Sequence, residues 1–468
     1  MGGRKMFDNI SIELCEALNN CKQVFPGQYV PSLSRTLYPN PTKVGEYCSK
    51  EEFLSLPKWQ SSWVHWEKRC NKILEGDYFH IKPVHYEGIF TMLCNMMCPH
   101  CTRGRDRRNA DAWFSPGTDP SLIEKYISNN NTLSKQMIMS IIDQLSEMKV
   151  DQQMGIVWGG GDPTMNPATY DCIEYARSKG VVSSFITNGV FININDLFRS
   201  LPTLVRISLN CCDSSTYAKF HGVKQEWEYY DRVWKVVRDI NSKKAKNPCD
   251  MLFGISLIVD ERNIKDFNNT IEHIVSLVES DGKGIDYIII RPVMKYSSVP
   301  ADAVKLSNDT KSEISKYFQP NSYAFESLKR VAIPIIPIKD SFLNPPSADY
   351  YVDKQNCLAY SMCGEIRYNG DVQLCSDSYG NPEYTIGNLF DNKLEEILKS
   401  EKREAVLKRI NENKCFQYHC PHNSRGHHLN RMFYQIEALR KKGMIDVAKT
   451  WIEDVRATTY PLYHSFFI

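Results

Sequence analysis

The chain contains no run of eighteen or more apolar residues, so no membrane-spanning helix is expected. Its first residues, Met1-Gly2-Gly3-Arg4-Lys5-Met6-Phe7-Asp8, lack the apolar core of a secretory signal, and a cytoplasmic location is the expectation. Charge of one sign is also scarce. Lys and Arg number 57 against 55 Asp and Glu, a formal net charge of +2, too small to suggest nucleic acid or an anionic membrane as partner. What remains, 468 residues with 42% hydrophobic and 24% charged, suits a soluble globular protein of two or three domains. Cysteine, by contrast, is plentiful at 16. In a long chain with no export signal, clustered cysteines read as metal ligands plus buried thiols rather than as a disulfide scaffold. Cys15, Cys21, Cys48, Cys70, Cys172 and Cys249 follow no ligand pattern and read as ordinary packing residues.

The most informative cluster is Cys94, Cys98 and Cys101, directly after the apolar stretch 88–93. Thiolates spaced by three and then two residues on one loop can turn onto a single group, and a preceding strand holds such a loop rigid. Three thiolates satisfy only three irons of a four-iron cluster, leaving the fourth open to a small-molecule chelate. A zinc site is the alternative, but it usually takes a fourth Cys or His nearby. His100, between two of the cysteines, is poorly placed to be that ligand.

Beyond Cys101 a polar stretch, 102–132, is long for a connection and reads as a lid. Its basic run from Arg103 to Arg108 is either an anion grip or a solvated loop. A helix is predicted over 133–148, with Ile138, Ile141, Ile142 and Leu145 at helical spacing. Apolar strands then alternate with amphipathic helices at 155–158, 182–186, 204–209, 252–259 and 287–290, which with 88–93 makes six. Near-continuous apolar strands separated by helices call for a parallel sheet with helices outside. Polar residues collect at the strand C-termini. Gly159-Gly160-Gly161-Asp162-Pro163-Thr164 follows the second strand, Asn188 the third, and Ser208 and Asn210 end the fourth, where alternation predicts a shared face. Arg291 follows the sixth and can pair with a carboxylate or sit in a structural salt bridge.

The cysteine spacing, and the glycine-rich turn one helix later, resemble the radical SAM superfamily. The resemblance implies a partial (β/α)6 TIM-type barrel, an α/β fold with its chemistry at strand C-termini. It also implies a catalytic 4Fe-4S cluster on Cys94, Cys98 and Cys101 whose open iron binds S-adenosyl-L-methionine, and one-electron cleavage of that cofactor to a 5′-deoxyadenosyl radical. By the same resemblance His100 lies near the adenine, a mild departure from the usual aromatic residue. Gly160, Gly161, Asp162 and Pro163 match the family's Gly-Gly-Glu-Pro turn against the methionyl amino group, with Asp162 in place of Glu. Asn188, Ser208, Asn210 and Arg291 fall near the ribose or carboxylate. An external one-electron donor of flavodoxin or ferredoxin type is implied as partner.

Past residue 294 the βα rhythm stops in a Pro- and Ser-rich bridge to about 355. Cys357 and Cys363 come next, then a hairpin over 365–375 turning at Asn369 and Gly370, then a charged amphipathic helix to about 411, then Cys415 and Cys420. Cysteine, twelve residues, glycine, four residues, cysteine and a late cysteine pair resemble the SPASM and twitch extensions of radical SAM proteins. That implies a small α+β domain holding a second, auxiliary 4Fe-4S cluster through Cys357, Cys375, Cys415 and Cys420. The wide spacing of the last pair leaves Cys363 as a possible replacement, and structural zinc satisfies four thiolates equally well. The expected division is an N-terminal cap or docking region 1–85, a barrel 86–295, a bridge 296–355, the auxiliary domain 356–430 and a helical tail 431–468.

The initiator is readable and the target is not. Modification of a ribosomally made peptide, by epimerisation or cross-linking, is the leading expectation. Oxidation, elimination or epimerisation of a sugar, aminocyclitol or nucleoside is the runner-up, and a non-catalytic Fe-S carrier or scaffold is the alternative of another class. No three-strand pattern in the first 85 residues suggests a winged-helix docking domain, and no cobalamin-binding domain is evident. Trp59, Trp63 and Trp66 there suit a cap or a docking surface. Epimerisation needs a returned hydrogen, for which Cys363 and Cys211 are candidate thiol donors, although packing explains either equally.

Overall fold

A computed structural model describes residues 70–77, 82–83, 85–101, 132–148, 154–293, 306–317, 321–333, 335–336, 363–375, 380–412, 436–437 and 439–449. The chain divides into two compact units. One comprises Met1–Pro83, Lys339–Met362 and Asn411–Phe466, and the other Val84–Ile338, Cys363–Ile410 and Phe467–Ile468. In the first, Cys70, Ile73, Ile436 and Ala448 are fully buried.

The second unit is built on one ten-stranded sheet. Six strands follow one another in space as in sequence, all parallel: β1 (His85–Ile89), β2 (Met154–Trp158), β3 (Val181–Thr187), β4 (Leu204–Ser208), β5 (Leu252–Val259) and β6 (Tyr287–Pro292). Between them run α1 (Lys135–Glu147), α2 (Thr169–Ser178), α3 (Ile194–Ser200), α4 (Ser214–His221), α5 (Tyr229–Lys246) and α6 (Phe267–Asp281). This sequential parallel order, with helices as crossovers, is the parallel sheet that the alternation predicts and the partial TIM-type barrel that the resemblance implies. After α7 (Asn308–Tyr317) and α8 (Tyr323–Arg330), a two-residue strand β7 (Ile335–Ile336) adds to the β6 edge, so the bridge carries a seventh parallel strand beyond the six expected.

Helix ends follow local chemistry. Ser134 caps α1 by accepting from the Met137 N–H, and Asp213 caps α4 by accepting from Thr216. Ile138, Ile141, Ile142 and Leu145 are the buried face of α1, as their spacing predicts. Ile207 of β4 and Val233 of α5 both lie against Gly189, so that face of β4 looks to the helices. Arg206 and Ser208, offset by one, look into the barrel.

The other edge corrects an expectation. The hairpin of β8 (Cys363–Arg367) and β9 (Asp371–Gln373) does not form a small sheet of its own. β8 pairs in parallel with β1 over five residues, from His85 opposite Cys363 to Ile89 opposite Arg367, and β10 (Thr385–Asn388) adds to β9. Strands β8 to β10, expected in a separate auxiliary domain, therefore belong to the barrel's own sheet. Gly370 makes the turn with φ +82°, as the Asn-Gly pair predicts. Glu365 and Arg367, both buried, pair at 2.6 Å. The single charged helix expected next is two, α9 (Leu394–Leu398) and α10 (Glu401–Glu412), with the Leu394 N–H donating to Gln144 of α1 at 2.7 Å.

Candidate active site

The first strand ends earlier than its apolar run suggests. β1 stops at Ile89, and Phe90 to Leu93 form the start of the cysteine loop, tied by the Leu133 N–H to the Phe90 carbonyl at 2.8 Å and by a Thr91–Thr132 bridge. The glycine-rich turn after β2 holds the loop from the other side. Gly161 donates to the Thr91 carbonyl at 2.9 Å and Asp162 to that of Leu93 at 2.7 Å. A Cβ on Gly160 would overlap the Thr91 oxygen, and one on Gly161 the Leu93 oxygen. The glycines therefore let backbone approach the cysteine loop, where the sequence suggested approach to a ligand.

Asp162 is not an open carboxylate. It accepts from the Thr164 hydroxyl (2.6 Å) and N–H (3.0 Å), from the Thr187 hydroxyl (2.9 Å) and from the Asn188 N–H (2.8 Å). Burial raises its pKa and these hydrogen bonds oppose the rise. Its side chain thus fastens the β2 turn to the end of β3, with Pro163 starting a short helical turn. Asn188 carries the tie onward, donating to the Asn95 side chain at 2.8 Å and lying 4.0 Å from Cys94 Sγ.

Cys94, Cys98 and Cys101 are each partly exposed on this loop. Burial, then the charges of Cys101 and Cys94, push the Cys98 thiol well above its usual pKa. Thiolates on a four-iron cluster each bond a different iron and stand apart. One loop, three thiols and a backbone clamped on two sides fit that group.

The fourth strand contradicts the predicted shared face of Ser208 and Asn210. β4 ends at Ser208, Asn210 turns into the left-handed region with φ +65°, and alternation stops between them. The Asn210 amide is engaged by the Ile258 N–H at 2.8 Å and by His221 Nε2 at 3.3 Å, so it is committed inside the protein. Cys211, next in line, is fully buried, and burial pushes its thiol well above the usual range.

Two residues that sequence reading missed complete the surroundings. His221, last residue of α4, places Nδ1 3.3 Å from Cys98 Sγ. Burial, then the Arg262 charge, pulls its pKa down to about 3. Arg262 is held by Asp260, with Nε 2.9 Å and Nη2 2.5 Å from Oδ2. It stacks 4.5 Å over the Phe220 ring and approaches His100 Nδ1 at 3.1 Å. Burial, then Arg262, holds His100 well below its ordinary pKa, with His221 and Arg291 adding to the effect. Arg262 has one sequence signal, its position just after the fifth strand where barrel chemistry collects, whereas His221 closes the helix that follows β4 and has none. Of the auxiliary set, Cys375 is partly exposed just after β9, and Cys363 opens β8. The Cys363 side chain and all of Cys357, Cys415 and Cys420 lie outside the described residues, as do the lid 102–131, the tryptophans of the first 69 residues and most of the tail.

A parallel barrel sheet thus carries a three-cysteine loop directly after its first strand. Residues 89–274 match the model of the radical SAM superfamily, and residues 357–421 that of an iron-sulfur cluster-binding domain, SPASM. Together they cover more than half of the chain, which belongs to the radical SAM superfamily. Its cofactors are accordingly S-adenosylmethionine and a 4Fe-4S cluster, with a further Fe-S cluster in the SPASM segment.

Over 103 residues the chain is 32% identical to the mycofactocin maturase MftC of Mycobacterium ulcerans, and over 102 residues 31% identical to that of Mycobacterium tuberculosis H37Rv. The first match spans 22% of this chain and 22% of the relative, the second 22% and 20%. The chain thus spans about a fifth of the length of the curated relatives it matches. Among solved structures it resembles Streptococcus suis SuiB bound to S-adenosylmethionine, with a TM-score of 0.49, 14% identity and coverage of 74% of this chain and 73% of that one. SuiB bound to precursor peptide SuiA gives 0.49, 13%, 77% and 74%. Among the described residues no helix is long and apolar enough to cross a membrane.

Proposed function

We propose that this enzyme modifies a ribosomally made peptide by hydrogen abstraction, ending in Cα epimerisation or a side-chain cross-link. The observation that supports it most is the joint presence of a radical SAM barrel and a SPASM domain in a chain whose matched relatives are named maturases. When bound, the cluster and S-adenosylmethionine supply a 5′-deoxyadenosyl radical. In this reading Cys94, Cys98 and Cys101 hold that cluster, and the Gly160-Gly161-Asp162-Pro163 turn, His100, Asn188, Ser208 and Arg291 surround the cofactor. Asn210 acts from behind, through His221. Cys357, Cys375, Cys415 and Cys420 hold the auxiliary cluster, with Cys363 available as a substitute ligand. A flavodoxin or ferredoxin type donor supplies the electron.

The protein's own task is positioning, which means seating one C–H bond against the radical and excluding stray hydrogen donors. The inward face of β4 and β5 suits a polar backbone segment, since Arg206, Ser208 and Ser256 share it.

Deuterium transfer tests the reading. Candidate precursor peptides deuterated at Cα or on side chains are incubated with reconstituted enzyme, reductant and cofactor, and 5′-deoxyadenosine is examined for label. Label from a peptide supports the proposal, whereas label only from a sugar, aminocyclitol or nucleoside overturns it. If the outcome is epimerisation, replacing the donor thiol, Cys211 or Cys363, by Ala abolishes product while cofactor cleavage continues.

A further inference from the structure

His221 has no part in the assignments drawn from the sequence, yet it is 2% exposed and lies between two residues of the site. Nδ1 is 3.3 Å from Cys98 Sγ and Nε2 is 3.3 Å from Asn210 Nδ2. Which nitrogen carries the proton follows from Asn210. The Ile258 backbone N–H points at its side chain with 2.8 Å to Oδ1, and a backbone N–H can only donate. The amide oxygen must therefore face Ile258 and the NH2 group must face the imidazole. Asn210 is fixed there by its left-handed backbone and by the Asn263 side chain, which donates to its carbonyl at 2.9 Å. Facing a donor, Nε2 is the acceptor, and the proton sits on Nδ1, directed at Cys98.

We propose that His221 is a positioning residue that donates its Nδ1–H to the Cys98 thiolate and thereby raises the reduction potential of the catalytic cluster. Hydrogen bonds to ligating sulfur favour the more negative, reduced state, so the donor eases entry of the single electron from the external reductant. The ring is held for this role. Tyr217 lies 4.2 Å away, centroid to centroid, and the Met97 N–H donates to the His221 carbonyl at 3.0 Å, fastening the last turn of α4 to the cysteine loop. The inference rests on Cys98 being a cluster ligand. Its competitor is the Leu209 backbone, which also faces the ring.

Two measurements on the full-length reconstituted protein, without S-adenosylmethionine, decide the matter. In pulsed electron paramagnetic resonance of the reduced protein labelled with 15N-histidine, a histidine nitrogen coupling is expected in the wild type and not in His221→Phe. In a redox titration His221→Phe should show a ratio of reduced to oxidised cluster about tenfold lower at fixed potential, about 59 mV for one electron. His221→Asn, whose amide N–H reaches the place of Nδ1, should restore most of it. A cluster with no histidine coupling, or a His221→Phe titration matching wild type, overturns the proposal, and the first result is what a proton on Nε2 would give. If His221→Phe does not load iron, the labelled wild-type spectrum decides alone. Wild-type protein with no four-iron signal removes the underlying reading of Cys98, and the proposal with it.

Discussion

Gly160 holds φ +113°, and its Cα faces the Thr91 carbonyl with no room for a methyl group, whereas a Cβ on Gly159 meets nothing nearer than Ile89 Cδ1 at 3.9 Å. Adjacent glycines thus make opposite predictions. Gly159→Ala should keep wild-type iron content, while Gly160→Ala should lose most of the iron of the three-cysteine site and cost on the order of 2 kcal/mol or more of stability. Iron assay and thermal melting of the two variants check this, and equal iron in both would show that the turn does not support the loop. At this scale the sequence revealed ligands better than their supports. Cys94, Cys98 and Cys101 are legible because three thiols at short spacing have few other uses. His221 and Arg262 are not, because a single His or Arg carries no spacing signal and is placed only by the fold. Asn210 departs from the alternation for a related reason, since its left-handed backbone depends on neighbours that the local pattern does not encode.

Elements were legible where one physical period dominated. β2 to β6 and α1 follow their apolar patterns to within one or two residues, because both faces of a parallel strand and one face of its helix are buried. β1 ends before its apolar run does, since Phe90 and Met92 are buried as loop residues and mimic strand in the sequence. Helix-to-helix fastening was not legible at all. Lys135 of α1 reaches Asp171 of α2 at 2.7 Å, and Arg199 of α3 reaches Asp171 at 2.8 Å and Glu174 as well. Hydrogen bonds from Lys135 and then Arg199 hold Asp171 below its ordinary pKa. For a carboxyl so lowered, stabilisation is present above the unfolded value and fades as pH falls through the folded one. Asp171→Asn in the apoprotein should therefore flatten the decline of melting temperature below about pH 4. The change at pH 7 should be small, because the partners are about two-fifths exposed and screened by solvent. A variant melting curve parallel to wild type through that range would exclude the network as an acid-sensitive tie.

For the molecule as a whole, the decisive fact is where the auxiliary hairpin sits. The sequence separates barrel from auxiliary segment by a long bridge, and local patterns contain nothing to say that the chain returns to its first strand. That pairing links residues 278 apart, and such contacts leave no periodic trace. Yet β1 lies between β2 and β8, and Tyr86 packs on Gly364 of β8. Tyr368, in the hairpin turn, forms a buried cluster with Ile89 and with Met92 of the cysteine loop. A chain ending at residue 338 would keep β1 to β7 but strip β1 of five paired residues, exposing a strand edge and the underside of the loop. Such a truncation should associate or precipitate, and what stays soluble should bind little iron at Cys94, Cys98 and Cys101. Full-length protein with Cys357, Cys375, Cys415 and Cys420 replaced by Ser should retain β8 and load that site. Size-exclusion chromatography with iron assay separates the cases. A monomeric truncation that loads the three-cysteine cluster would show that the barrel carries its loop unaided. Iron retained only by the full-length Ser variant would show that the hairpin supports the catalytic loop through packing, independently of the auxiliary cluster.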